Sequence, residues 1–285
     1  MSNATAVRST LSDEREYVLG TSAEESVRLG LQHRLWSASA HALWERAGIA
    51  PGQTVIDVGC GPGHAAMDLA QIVGTRGRVI CVDESASYLH QVSEQARSRR
   101  LDNVDRILGD VQELGTLLSG WAGKIDAAYA RWVLCFVADP ARVIEELARL
   151  VRPGGRVAIQ DYFNYETMSL APKREEFTRV VQAVGRGFRD RGGDPDIVGR
   201  LPEMLHRHGF EVTHLSVNQR VARPIDPIWH WPDSFWRVFV PRLVASGHLD
   251  QDAADRFFAV WQEACASRDV FMFLPPVFDV IAVRR

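Results

Sequence analysis

The sequence predicts an α/β protein built on a parallel, doubly wound sheet, and three observations carry that prediction. Short apolar runs alternate with segments of helical spacing from Thr54 to Phe163, and strands joined by crossover helices must run parallel. The first run ends in three glycines spaced two apart, "VIDVGCGPGH" (55–64), and leads straight into a helical segment. The next two runs end at acidic residues, Asp83 and Asp110, on the carboxyl edge where such sheets bind ligands.

Residues 1–16 are polar and are expected to be weakly ordered. From Thr21, apolar residues at Val27, Leu31, Leu35, Ala38 and Ala42 recur at helical spacing. Ser22 with Glu25 makes a capping box there, and Gly48 a stop. A strand is predicted over 54–59 and a helix over 64–73. A strand over 77–83 precedes "SASYLHQVSEQARSR", a helix with a serine cap; Arg97, Arg99 and Arg100 at its end complement the dipole. A strand over 104–110 and a short helix over 112–119 follow, then a strand over 125–130. "DPARVIEELARLVRPGG" opens with an acidic cap and a first-turn proline and closes at Pro153-Gly154-Gly155. The fifth strand is 156–163.

Beyond it the rhythm changes. A helical stretch around Glu175–Phe188 ends in the break "RDRGGDPD", and a helix over 197–209 leads to the strand "FEVTHLSV". Residues 222–268 are rich in aromatics. Trp229, Trp236, Phe239 and Leu243 make a helical stripe, Pro241 is expected to interrupt or kink that helix, and Asp250 caps another running to Ser267. "FDVIAV" (278–283) reads as the last strand.

Of the 285 residues, 46% are hydrophobic and 24% charged, an ordinary balance for a globular core. The net charge of −3 leaves no basic surplus for phosphates, so nucleic acid is not an expected partner. The four cysteines, Cys60, Cys81, Cys135 and Cys265, form no C-x-x-C pair, as for reduced thiols in the cytoplasm. The polar start lacks a signal-peptide core, and no run reaches the ~18 apolar residues of a membrane span. A cytoplasmic protein is the expectation, with a homodimer left open.

A glycine turn before a helix lets backbone N–H groups approach a nucleotide. The dinucleotide pattern requires G-x-G-x-x-G, its third glycine allowing close helix–strand packing. Here that third position is His64, and the glycines run Gly59, Gly61, Gly63. Asp57, two residues before the turn, adds a carboxylate suited to the ammonium of S-adenosylmethionine (SAM).

"VIDVGCGPGH" resembles motif I of the class I SAM-dependent methyltransferases. The likeness continues through "VICVDES", "LGDVQEL" and "YARWVLCFVADPARVIEELARLVRPGGRVAIQD", which is similar to the small-molecule branch related to ubiquinone/menaquinone methyltransferases. The resemblance implies a Rossmann-like, seven-stranded sheet, mostly parallel with the last strand antiparallel, an N-terminal helical cap and helical lid insertions. It implies that SAM is held by Asp57, Gly59, Cys60, Gly61 and Gly63, with Glu84 and Arg131 beside them. Asp83 would take the ribose hydroxyls, Asp110 the adenine amino group and Val111 would offer its backbone. Tyr17, just before the cap, is expected to cover the cofactor, and S-adenosylhomocysteine (SAH) is the product.

The expected organisation is a cap over 1–50, a core of 51–163, 197–221 and 271–285, and lid insertions at 164–196 and 222–270. The expected reaction is methyl transfer to O, N or C of a small, apolar or aromatic metabolite of secondary metabolism. A non-catalytic SAM-binding scaffold is the alternative from another class, and an NAD-dependent oxidoreductase is disfavoured by His64. Candidate proton-transfer groups are Asp161 and Tyr162 at the end of the fifth strand and His230 in the lid; His64 sits near the cofactor in a helix's first turn. No metal ligand set is expected.

Overall fold

A computed structural model describes residues 23–285. Tyr17 and Ser22 lie outside the described residues. Helix α1 (Ala23–Arg46) is followed by β1 (Thr54–Val58), α2 (His64–Val73), β2 (Arg78–Asp83), α3 (Ala86–Arg99), β3 (Val104–Leu108) and the single turn α4 (Leu114–Leu117). Then come β4 (Ile125–Arg131), α5 (Pro140–Leu150), β5 (Val151–Tyr162), β6 (Ser169–Ala171), α6 (Glu175–Arg189), α7 (Leu201–Arg207), β7 (Phe210–Asn218) and β8 (Val221–Ala222). Helices α8 (His230–Ala245) and α9 (Gln251–Ala266) and strands β9 (Phe271–Phe273) and β10 (Val277–Arg284) complete the described chain.

Seven strands form one sheet in the order β3-β2-β1-β4-β5-β10-β7. Only β10 runs antiparallel to its neighbours, pairing with β5 and β7. The order reverses direction between β1 and β4, which opens a crevice at their carboxyl ends. Strand alternation sends Val55 and Val79 to one buried layer, with α2, and Ile56 and Val58 to the other.

The helix starts follow their local chemistry. Ser85 accepts from the Tyr88 amide at 3.2 Å, Asp139 from Arg142 at 3.0 Å and Asp250 from Ala253 at 2.7 Å.

Three features differ from the sequence expectations. Strand β5 begins at Val151, not 156, because Pro153–Gly155 lies within a register irregularity against β4. Helix α8 passes through Pro241 without interruption; the lost backbone bond is outweighed by burial of Trp236, Phe239, Val240 and Leu243. Strand β9 pairs with β6 and β8 in a separate three-stranded antiparallel sheet. Strands of two or three residues carry too little periodicity to be seen in sequence.

Candidate active site

Over the carboxyl ends of β1 and β4 lies a cavity of about 770 Å³, within the usual range for small-molecule sites. Its polar end is the turn after β1, where Asp57, Gly59, Cys60 and Gly61 line it. The glycines there differ in what they permit. Gly61 has φ +54° and open space where a side chain would stand. Gly63 has φ +86°, and a Cβ would meet Val92 Cγ2 at 2.7 Å. It does not line the cavity; its role is to let α3 pack against the turn. His64 begins α2 and stacks on His33 at 5.9 Å. Gly30 of α1 makes room for it, since a Cβ there would lie 3.2 Å from His64 Nε2. The imidazole that would crowd a dinucleotide turn is therefore taken up by the cap helix. Burial lowers its pKa to about 4.

Asp57 is the strongest electrostatic feature. It is almost fully buried, and its Oδ2 has no hydrogen-bond partner. Burial raises its pKa to about 7, against the lowering pull of Arg131. Arg131, at the end of β4, likewise has a buried Nη1 without a partner, while its Nη2 donates to His33 Nδ1 at 3.0 Å. His33 Nε2 in turn donates to Asp68 Oδ2 at 3.0 Å.

Asp83 accepts from the Gly61 amide at 2.8 Å and from the Ser85 amide at 2.9 Å. Burial raises its pKa and the two amides oppose that shift. Each oxygen keeps an acceptor position for a further donor. Asp110 caps the turn over 111–113, accepting from the Gln112 amide at 2.8 Å. Its side chain, Glu84 and the buried Val111 all line the cavity.

The other end is aromatic. Trp132 stacks between Tyr162, at 6.0 Å, and Trp231, at 5.7 Å. Its φ of +52° is strained for a bulky residue. Trp231 Nε1 donates to Gln32 Oε1 at 2.8 Å and so ties α8 to α1. Tyr165, Phe188 and Phe235 extend this chamber.

The three candidate proton-transfer residues part company here. Tyr162 lines the cavity, but burial pushes its hydroxyl well above the ordinary value, so it stays protonated at neutral pH. Asp161 does not line the cavity; its oxygens accept the Cys135 amide at 3.2 Å and the Tyr162 amide at 2.9 Å. Burial raises it to about 6, yet it faces backbone, because adjacent strand residues point opposite ways. His230 is exposed at the start of α8 and lies outside the cavity. Sequence reasoning missed Arg28, Leu29, Gln32 and His33, one face of α1 that lines the cavity. Their i, i+4 spacing was the available signal.

Among the described residues no group of His, Cys, Asp and Glu could hold a metal ion, and no described helix is long and apolar enough to cross a membrane.

The unpartnered carboxylate oxygen of Asp57 and unpartnered guanidinium nitrogen of Arg131 suit an amino-acid zwitterion, and the open face of Gly61 suits close approach of a nucleoside. The residues present thus fit SAM. Comparison with known proteins points the same way. Residues 49–188 match a family model described as a methyltransferase domain. The chain is 33% identical over 170 residues to an arsenite methyltransferase of Halobacterium salinarum, covering 60% of this chain and 40% of that one. It is 34% identical over 132 residues to a 2-phytyl-1,4-naphtoquinone methyltransferase of Nostoc sp., covering 46% and 55%. The chain therefore spans only part of the length of these relatives. In fold it is similar to a geranyl diphosphate C-methyltransferase from Streptomyces coelicolor, with TM-score 0.55 and 18% identity over 89% of this chain and 80% of that one. Residues 49–188 therefore carry a methyltransferase domain, similar to those of class I SAM-dependent methyltransferases.

Proposed function

We propose that this protein transfers the methyl group of SAM to a small, apolar, ring-bearing acceptor. The observation that carries the reading is one continuous cavity with a carboxylate oxygen and a guanidinium nitrogen left without partners at one end and stacked aromatic rings at the other. Asp57 would hold the cofactor's ammonium and Arg131 its carboxylate. Asp83 would take the ribose hydroxyls, and Asp110 with Val111 the adenine, as the family resemblance implies. Cys60, Gly61 and Glu84 complete the cradle. A nicotinamide dinucleotide has no ammonium group to satisfy Asp57.

The cofactor, when bound, supplies the electrophilic methyl group. The chain's own part is to align the acceptor and exclude water. Trp132 and Trp231 offer ring faces to a planar acceptor, and such faces also favour a nearby cation. The Tyr162 hydroxyl, kept protonated, donates a hydrogen bond to the acceptor and does not act as base. Every carboxylate and imidazole lining the cavity comes from the cap helix α1 or from the segments at and just after β1, β2 and β3. The acceptor is accordingly one whose nucleophile needs no strong base, such as an acidic phenol or hydroquinone, or an amine. A substrate-sized chamber favours an enzyme over a non-catalytic scaffold.

The reading assigns the cap to 1–50, the core to 51–163, 197–221 and 271–285, and the lid to 164–196 and 222–270. It places the protein in secondary metabolism in the cytoplasm, where its buried thiols Cys60, Cys81 and Cys135 stay reduced. Nucleic acid is not among its partners. Incubating the protein with methyl-labelled SAM and a panel of phenols, hydroquinones and amines tests the proposal. Label in an apolar ring compound supports it; label found in no acceptor across the panel and a metabolite extract points to the scaffold.

A further inference from the structure

His33 is an unusual residue to find at a cofactor site, because it comes from the cap helix and both its ring nitrogens are engaged. Its Nδ1 faces Arg131 Nη2 at 3.0 Å. A guanidinium has no acceptor, so Nδ1 must accept and the proton must sit on Nε2. That Nε2–H donates to Asp68 Oδ2 at 3.0 Å on α2. His41 reaches the same Asp68 oxygen at 3.1 Å, and Arg99 approaches the other at 3.9 Å. His33 is also buried and stacked on His64. It thus has one tautomer and one orientation, set by Asp68. Arg131 stands with one nitrogen bound to this imidazole, its guanidinium carbon 5.2 Å from the Trp132 ring centroid, and its other terminal nitrogen buried and unpartnered.

We propose that His33, held by Asp68, is a positioning residue that aims the free edge of Arg131 at the carboxylate of the cofactor's amino-acid end. This rests on the reading of SAM as the cofactor. The relay joins three separate elements: α2, which follows the glycine turn, the cap helix α1, and the end of β4. It makes recognition of the amino-acid end depend on the cap being docked. The adenosine end, served by Asp83 and Asp110, lies outside the relay. His33 therefore contributes to affinity only for ligands that carry the carboxylate.

Calorimetric titration of the full chain with SAH and with 5′-methylthioadenosine, which has the nucleoside and sulfur but no amino-acid end, separates the two ends. In His33→Ala, SAH affinity should fall roughly tenfold, the scale of one charge-assisted hydrogen bond, while methylthioadenosine affinity stays unchanged. His33→Asn, whose amide oxygen can replace Nδ1 as acceptor, should recover most of the loss. In an Arg131→Ala background, His33→Ala should add no further loss of SAH affinity. Equal weakening of both ligands by His33→Ala, or a full additive effect on Arg131→Ala, would overturn the proposal and make His33 a cap-packing residue. If the unaltered protein binds neither ligand, the cofactor reading itself fails and the relay falls with it.

Discussion

Asp57 and Arg131, on the adjacent strands β1 and β4, each present one buried, unpartnered atom to the same cavity: a carboxylate oxygen and a guanidinium nitrogen. Buried polar atoms of charged groups left this way are costly alone. A bound zwitterion satisfies both.

The Asp57 carboxyl sets a pH dependence. It titrates near 7 in the free protein, and only its ionised form attracts an ammonium. SAH affinity should fall about tenfold from pH 8 to pH 6 as Asp57 gains a proton. Asp57→Asn should bind weakly and show no such slope, which calorimetry at several pH values would reveal.

The same residue should trade stability for binding. Because burial raises its pKa above the unfolded value, the native state holds the proton longer, and stability declines as pH rises from about 4 towards 7. Without ligand at pH 8, Asp57→Asn should be more stable than the parent by about 1–2 kcal/mol. At pH 4, near the unfolded-state value, that advantage should vanish. Urea unfolding at the two pH values measures it.

Gly61 and Gly63 should fail differently. Gly61→Val meets open space on the cavity side but stands at φ +54°, so backbone strain should cost about 1–2 kcal/mol while the fold survives and SAH binding is lost. Gly63→Ala puts a methyl 2.7 Å from Val92 Cγ2 at a left-handed backbone and should cost about 2 kcal/mol of stability or more. Thermal melts beside SAH titrations distinguish the two.

On the proposed assignment of Asp83 to the nucleoside end and Asp57 to the ammonium, Asp83→Asn should weaken SAH and methylthioadenosine alike, whereas Asp57→Asn should weaken SAH alone. Asp83→Ala should also destabilise the fold by about 2 kcal/mol, because it strips the Gly61 and Ser85 amides of their acceptor.

Much of the polar end was legible because it follows from strand ends. Asp57, Asp83, Asp110 and Arg131 each lie at or beside the carboxyl end of a strand in a doubly wound sheet, and the topology alone carries them to one crevice. His33 was not legible: it sits 98 residues from Arg131 in sequence, and nothing in a helical stripe marks which histidine will reach a strand end. The lid was read only in outline. Adjacent helical positions point some 100° apart, so Trp231 lines the cavity while His230 faces solvent. Strands of two or three residues, as in the β6-β9-β8 sheet, are made by tertiary pairing and leave no period to find.

The most direct test of the cofactor assignment is calorimetric titration of the protein with SAH and, separately, with NADH at pH 8. One saturable SAH site with no NADH binding is the predicted result. Binding of NADH with none of SAH would contradict it, and with it the reading of Gly59, Gly61 and His64 as a SAM turn.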